Sequence, residues 1–377
     1  MKPFQPAPLP PLQLDWAALV TLVGEAHAAL ARYGGILQGL VNPEVLLSPL
    51  TRREAVLSSR IEGTQASLED VLEFEADPRA EETAKYADVV EIINYRTAMI
   101  AAVDELKKRP LSLNLIKRLY FLLMDSVRGW DKGRGEFRKT QNYIAQPGTP
   151  AEQATYVPPE PLALPPLLDN FEKYIHREER DVLVQLALVH AQFELIHPFL
   201  DGNGRVGRLL IPLFLLEKGL ISSPAFFMSA YLEANRSEYY SRLQGISRNG
   251  DFQSWVAFFL KAVAEQGKDD ATRAKAIQAL YEHMKQRTVE LTRSQFAIQT
   301  LDTLFNHPIF SAPQFGQQSK IPKPSANRIL TALKNGKVLR VIRPGLGKRP
   351  TIFAFSELLR LVNAQRAEPT GAGQEKS

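Results

Sequence analysis

Apolar residues recur at helical spacing through most of the chain. Leu19, Leu22, Val23, Ala26 and Leu30 form one stripe behind the cap-type residue Asp15. A helix is therefore predicted to about Arg32, where Gly34-Gly35 stops it. The same reasoning predicts a helix over 49–62, with Gly63 at its C-terminal cap position. Further helices follow over 67–74, opened by the capping pair Ser67 and Asp70, over 81–107, and over 112–126 behind Ser112. Residues 1–13 carry Pro3, Pro6, Pro8, Pro10 and Pro11 and read as extended chain. Between 127 and 162 the helical period fails at Gly129, Gly133, Gly135, Pro147, Gly148, Pro150, Pro158 and Pro159. Two β-prone pieces lie there, Tyr143-Ile144-Ala145 and Thr155-Tyr156-Val157, and together they read as a hairpin. Helical spacing returns at 164–175, 180–196, 205–218, 229–247 and 251–266, and a polar connecting helix is expected over 267–289.

The last third changes character. Helix-like stretches over 294–306, 312–318 and 325–334 precede two strand-like ones, 338–342 and 351–355, joined by Gly345-Leu346-Gly347. Three helices and then a hairpin suggest a winged helix.

Charge sharpens that division. The net charge is only +5, yet no Asp or Glu lies between Thr303 and Ser356. The same span holds Lys320, Lys323, Arg328, Lys334, Lys337, Arg340, Arg343, Lys348 and Arg349. A basic module is thus attached to a mildly acidic body. Cysteine is absent, which excludes disulfides, thiolate metal sites and a Cys nucleophile, and fits a reducing compartment. The purest apolar run, Leu209 to Leu216, is far shorter than a membrane span. The start of the chain has no apolar signal core. A cytoplasmic protein without a membrane anchor is expected.

The segment from His197 to Arg208 carries the candidate chemistry. A helix ends at Ile196, Pro198 turns the chain out, and Gly202-Asn203-Gly204 permits positive φ before a new helix near Arg205. Consecutive backbone N–H groups in such a turn form an anion nest, and the helix N-terminus adds partial positive charge. Arg205 and Arg208 share one helix face above it. Asp201 at the lip suits a Mg²⁺ ion set between a carboxylate and phosphate oxygens. His197 is the only group in the segment that takes a proton near neutral pH. These parts imply phosphoryl or nucleotidyl transfer from a nucleotide.

His197-Pro198-Phe199-Leu200-Asp201-Gly202-Asn203-Gly204-Arg205-Val206-Gly207-Arg208 resembles the signature of the Fic (Fic/Doc) family at every position. The resemblance implies transfer of AMP from ATP to a Ser, Thr or Tyr hydroxyl of a protein. His197 would be the base and Asp201 the Mg²⁺ ligand. Gly202, Asn203 and Gly204 would bind the phosphates, Arg205 and Arg208 would hold the β/γ end, and Phe199 would pack inward. Thr155-Tyr156-Val157 resembles the family's flap, whose edge pairs with an extended target segment. Tyr239-Tyr240, with Asn249-Gly250-Asp251 and Trp255, resembles the helix pair beside the adenine, where core packing of either tyrosine is the competing reading. Ser58-Ser59-Arg60-Ile61-Glu62-Gly63 resembles the inhibitory motif. Ser58 and Glu62 share a helix face, and Glu62 would pair bidentately with Arg208 where the γ-phosphate belongs.

The implied fold is all-α: a Fic-type helical bundle with a small β-hairpin flap, plus a C-terminal winged-helix domain. The expected divisions are an N-terminal helical region with the inhibitory helix (1–105), a catalytic core (106–266), a linker helix (267–290), a winged-helix-like domain (291–364) and a disordered tail (365–377). Expected partners are a protein target on the flap and the chain itself as a target of modification. A second copy of the chain and DNA on the basic module are further candidates. Three alternatives stay open. The same pocket serves removal of AMP from protein. The chain could be a DNA-binding regulator whose Fic-like domain senses nucleotide, and the basic module could instead be a protein-binding one. His190 reads as a buried, hydrogen-bonded helix histidine, and no P-loop or nucleophile elbow is present.

Overall fold

The computed structural model describes residues 2–11, 13–78, 85–125, 132–145, 150–347 and 349–364. The expected helix start at Glu81 and helix end at Ser126 lie outside them, as do Gly129, Pro147, Gly148, Lys348 and the expected tail over 365–377. The chain forms two compact units, Met1–Ala271 and Thr272–Ser377.

The first unit is built from helices. They are α1 (Trp16–Gln38), α2 (Pro43–Ile61), α3 (Leu68–Ala76), α4 (Tyr86–Leu106), α5 (Leu113–Leu123), α6 (Leu164–His176), α7 (Val182–Ile196), α8 (Asn203–Glu217), α9 (Ser229–Ala234) and α10 (Arg236–Asn249). Helix α11 (Phe252–Thr292) starts here and ends in the second unit. Helix α7 is buried from Leu183 to Phe193 on every face, which marks it as the central helix of the core. It packs against α8, α6, α1 and α10. Trp255 Nε1 donates to the Ala187 carbonyl at 2.7 Å, and His190 bridges Gly207 O (3.1 Å) and the Tyr239 hydroxyl (3.0 Å). His190 is thus the buried, satisfied histidine of the bland expectation, and burial holds it down to about 3.

Several sequence expectations shift. Helix α1 runs through Gly34-Gly35 to Gln38, because Gly34 is buried and the Tyr33 hydroxyl is pinned to Ala225 O at 2.8 Å. Helix α2 starts at Pro43 and carries Pro49 inside it, buried with Leu46, Leu47 and Leu50. The expected helix over 229–247 breaks at Asn235 into α9 and α10. The two helices expected over 251–289 are one, α11. The hairpin is reduced to a single antiparallel bridge, Ile144 with Tyr156.

The second unit continues with α12 (Ala297–Asn306), β1 (Ile309–Ser311), α13 (Ala312–Ser319), α14 (Lys323–Asn335), β2 (Arg340–Arg343), β3 (Ile352–Ala354) and α15 (Ser356–Asn363). The strands form one antiparallel sheet in the order β1-β3-β2. Strand β1 and helix α15 were not among the expected elements. Phe310 meets Phe315 and Phe353 at 5.5 and 5.9 Å, and Phe305 meets Phe355 at 5.5 Å, so this unit has its own aromatic core. Apart from the three short strands, every regular element among the described residues is helical. None of those helices is long and apolar enough to cross a membrane.

Candidate active site

The site is the loop between the two central helices of the first unit. Helix α7 ends at His197, whose backbone is left-handed (φ 49, ψ 61). A non-glycine residue is strained there by about 1–2 kcal/mol. Arg138, itself buried, holds the conformation: its Nε donates to His197 O at 2.9 Å and its backbone N–H to Pro198 O at 2.9 Å. His197 Nδ1 donates to the Glu194 carbonyl at 3.3 Å, which leaves Nε2 as the acceptor. Burial lowers His197 to about 4, opposed by the Glu194 carbonyl, Glu62 and Asp201. The ring is therefore neutral at physiological pH.

Phe199 is fully buried and stacks on Tyr120 at 3.9 Å, as the inward-packing expectation required. The Asn203 side chain clamps the Phe199 backbone at both ends, 2.9 Å to its N–H and 2.9 Å to its carbonyl. Asn142 Nδ2 donates to the same carbonyl at 2.9 Å. The Asn203 side chain is therefore spent on shaping the loop. Gly202 has φ 69 and caps α8, its N–H donating to Asp201 Oδ1 at 2.6 Å. Among the described residues, nothing accepts from the N–H groups of Asn203, Gly204 and Arg205. They are the open donors of the α8 N-terminus.

Glu62 fills that seat. It is the C-cap residue of α2, where Gly63 (φ 103) turns the chain away. A Cβ on Gly204 would stand 2.3 Å from Glu62 Oε1, so the carboxylate lies directly over that glycine. Glu62 Oε1 accepts from Arg208 Nη2 at 2.7 Å. The pair is not bidentate as expected, because the rest of the guanidinium fork is on Ser58: Nε to its hydroxyl and Nη2 to its carbonyl, both at 2.9 Å. Burial pushes the Glu62 carboxyl up, but Arg208, then Arg205 and His197, pull it down, and the net direction is downward. An ionised carboxylate thus occupies the helix terminus.

Arg205 points elsewhere. Its Nη1 bonds Glu91 Oε2 of α4 at 3.0 Å in a buried pair, while its Nε has no partner among the described residues. Glu194 lies over Gly207, whose Cβ would stand 2.3 Å from its Oε1. That oxygen is buried without a partner among the described residues, and burial pushes the carboxyl up to about 8, against the pull of Arg208. The tyrosine pair divides. Tyr239 is buried on His190, the core packing weighed against its placement at the adenine; Tyr240 is 39% exposed, with Arg236 5.8 Å above its ring. Trp255 is likewise core.

In the flap, the Tyr156 hydroxyl reaches back to Leu195 O at 2.6 Å, and Thr155 N–H donates to Ile144 O at 2.8 Å. Val157 O accepts from Phe4 N–H at 2.9 Å, so the N-terminal segment takes that side of the flap. Asp201 is exposed at the lip, and no group of three or more metal-type side chains exists among the described residues. A single carboxylate beside open N–H donors fits a Mg²⁺ ion whose other ligands are phosphate oxygens and water.

The sequence reading missed Glu91, Arg138, Asn142 and Glu194. Glu91 and Glu194 stand in helices where a polar residue reads as solvated. Arg138 and Asn142 lie in irregular chain, where no periodicity marks a buried side chain.

The first unit is a helical bundle whose central helix pair frames open backbone N–H donors beside an imidazole. Residues 20–104 match the family described as Fic/DOC family N-terminal, and residues 110–215 match the Fic/DOC family. Together these matches span just over half of the chain, which belongs to the Fic/DOC family. It is 32% identical over 208 residues to a probable protein adenylyltransferase of Aquifex aeolicus, covering 53% of this chain and 56% of the relative. It is 35% identical over 127 residues to the protein adenylyltransferase Fic of Drosophila grimshawi, covering 33% of this chain and 23% of that one. The chain thus spans about half the length of the first relative and under a quarter of the second. A crystal structure of a Fic family protein from Desulfovibrio desulfuricans shares the fold. Its TM-score is 0.58 at 19% identity, over 93% of this chain and 98% of the other.

Proposed function

We propose that this chain is a protein adenylyltransferase, transferring AMP from ATP to a hydroxyl of a protein target and restrained by Glu62. The observation that carries this reading is the Glu62 carboxylate lying over Gly204 and on Arg208, at the open end of α8. An anion of the chain occupies the seat that a nucleotide phosphate would take. With Glu62 displaced, the N–H groups of Gly204 and Arg205 and the Arg208 guanidinium receive the triphosphate. Arg205, held on Glu91, contributes its backbone and positive field. His197 Nε2 takes the proton as the target oxygen attacks the α-phosphorus. The bond to the β-phosphate breaks, and pyrophosphate leaves with charge that the same N–H groups and Arg208 stabilise. Asp201 would hold Mg²⁺, which supplies charge neutralisation of the phosphates when bound.

The target docks on the flap beside this loop. Tyr156 and Val157 are engaged by Leu195 and Phe4. Pairing of Ile144 with Tyr156 turns the N–H and C=O groups of Tyr143 and Ala145 to the opposite side. That side is the edge open to an extended target strand, with Thr155, Tyr156 and Val157 supporting it. Tyr143, 49% exposed, stands on it. Use of ATP and the lack of cysteine favour the cytoplasm. Removal of AMP from a modified target uses the same pocket, and the wild-type chain, with Glu62 beside His197, is the form to assay for it.

The test is label transfer from ATP into protein. With α-phosphate-labelled ATP, Glu62→Gly should label protein well above wild type and Glu62→Gly/His197→Ala should not. With γ-labelled ATP no label should appear. Incorporation from γ-labelled ATP, or none from α-labelled ATP in Glu62→Gly, would overturn the reading.

A further inference from the structure

Helix α14 of the second unit buries Ala326, Ile329, Leu330 and Leu333 and turns its other face outward. Exposed along that face are Lys323, Asn327, Arg328, Thr331 and Lys334. Beyond it, β2 and β3 pair, and the turn between them is closed by a bridge from Leu346 to Arg349. Leu346 is 82% exposed at that tip, and Arg349 and Arg340 are exposed beside and below it. Among the described residues, Lys323, Arg328, Lys334, Lys337, Arg340 and Arg349 make no ion pair. No acidic residue lies between Asp302 and Glu357 to offer one. Of the acids elsewhere in this unit, Glu282 pairs with Lys285 and Asp302 accepts from the Tyr281 hydroxyl, while Glu290 and Glu357 are exposed.

Solvated surface cations are normally interleaved with anions, which limits their mutual repulsion. Here the span between Asp302 and Glu357 carries its cations with no anion among them, and a polyanion is the partner that complements it. The element order α12-β1-α13-α14-β2-β3 presents a rigid helix after a short helix and then a two-stranded tip. A helix of this diameter fits the major groove of B-form DNA. Asn and Arg side by side on its outer face are residues that pair with adenine and guanine edges.

We propose that the second unit binds duplex DNA, with α14 in the major groove and the β2–β3 tip against the flanking phosphates. Lys323, Lys334 and Arg349 contact phosphates, and Asn327 and Arg328 read bases. This stands apart from the nucleotide site and needs neither ATP nor His197.

The test uses the full-length chain and a labelled duplex pool, followed by fluorescence anisotropy between 50 and 200 mM salt. Affinity should fall about 40-fold across that range for about three phosphate contacts. Lys323→Ala, Lys334→Ala and Arg349→Ala should each flatten the salt slope by about 1. Lys268→Ala, whose lysine pairs with Glu265 on α11, should not change it. Sequences selected from randomised duplexes should lose preference about tenfold or more at one position in Asn327→Ala or Arg328→Ala. All these side chains are exposed, so melting temperatures should match wild type. No binding at 50 mM salt, a slope unaffected by all three phosphate variants, or equal binding of an RNA duplex, whose deep groove excludes a helix, would overturn the proposal.

Discussion

His197 sits in a backbone conformation that suits glycine, and its neighbours hold it there. Its N–H reaches Phe193 O at 2.9 Å, and Arg138 grips its carbonyl. The strain brings the imidazole out at the end of a buried helix rather than along its side. Glycine at 197 would relieve that strain. His197→Gly should therefore be about 1 kcal/mol more stable than His197→Ala in denaturant unfolding, with both inactive. Equal stabilities would show that the position is not strained. The ring is also held neutral, at about 4. The acid limb of label transfer by Glu62→Gly should lie below pH 5, where an unperturbed histidine would place it near 6.5. A limb near 6.5 would mean that His197 is solvated or is not the base. His197, Asp201, Glu62 and Arg208 were legible as a fixed string and a helix-face pair. The division of the tyrosines was not, because adjacent residues on a helix differ in burial only through what packs against them.

At the scale of elements, the proposed restraint lies between α2 and α8. Helix α2 buries Leu46, Leu47, Leu50, Val56, Leu57 and Ile61. Exposing these six side chains would cost on the order of 10 kcal/mol as an upper bound. A charge-assisted hydrogen bond is worth about 1.5–3 kcal/mol. On the proposed reading, rotation of the Glu62 side chain and its cap, with α2 staying docked, is the lower-energy route of release. Helix α2 also carries Glu54, whose Oε1 accepts from Ser229 Oγ at 2.5 Å and from the Tyr95 hydroxyl at 3.1 Å. Burial pushes Glu54 up to about 7, against the pull of Ser229, Tyr95 and Arg208. Between about pH 4.5 and 7 the folded chain then holds a proton that the unfolded chain has lost. Stability should fall across that window, on the order of 3 kcal/mol from this group, and flatten above it. Glu54→Gln, neutral throughout, should show a smaller loss in denaturant unfolding between pH 5 and 8. A loss equal to wild type would contradict the assignment. The start of α2 was hidden because Pro49 reads as a first-turn proline, and the run of α1 through Gly34-Gly35 because tertiary packing overrides glycine's low propensity.

For the whole molecule, two compact units imply more than one unfolding transition. Calorimetry of Glu62→Gly should give a calorimetric enthalpy above the van't Hoff value. Mg²⁺ with ATP should raise one transition and duplex DNA another, each by about 2.7 kcal/mol at a hundredfold excess over Kd. A single transition raised by both ligands would contradict the assignment of two sites to two units. The charge asymmetry behind the proposed DNA site was plain in the sequence. Strand β1 was not, since Ile309–Ser311 is three residues behind Pro308, and α15 shows only the short stripe Leu358, Leu359 and Val362.

The seat at the α8 terminus is tested most directly by intact-mass spectrometry of the chain after incubation with Mg²⁺ and ATP. Glu62→Gly should gain a mass increment equal to AMP, wild type much less, and Glu62→Gly/Arg208→Ala and Glu62→Gly/His197→Ala none. An adduct of equal extent in wild type and Glu62→Gly, or no adduct in Glu62→Gly, would contradict the account.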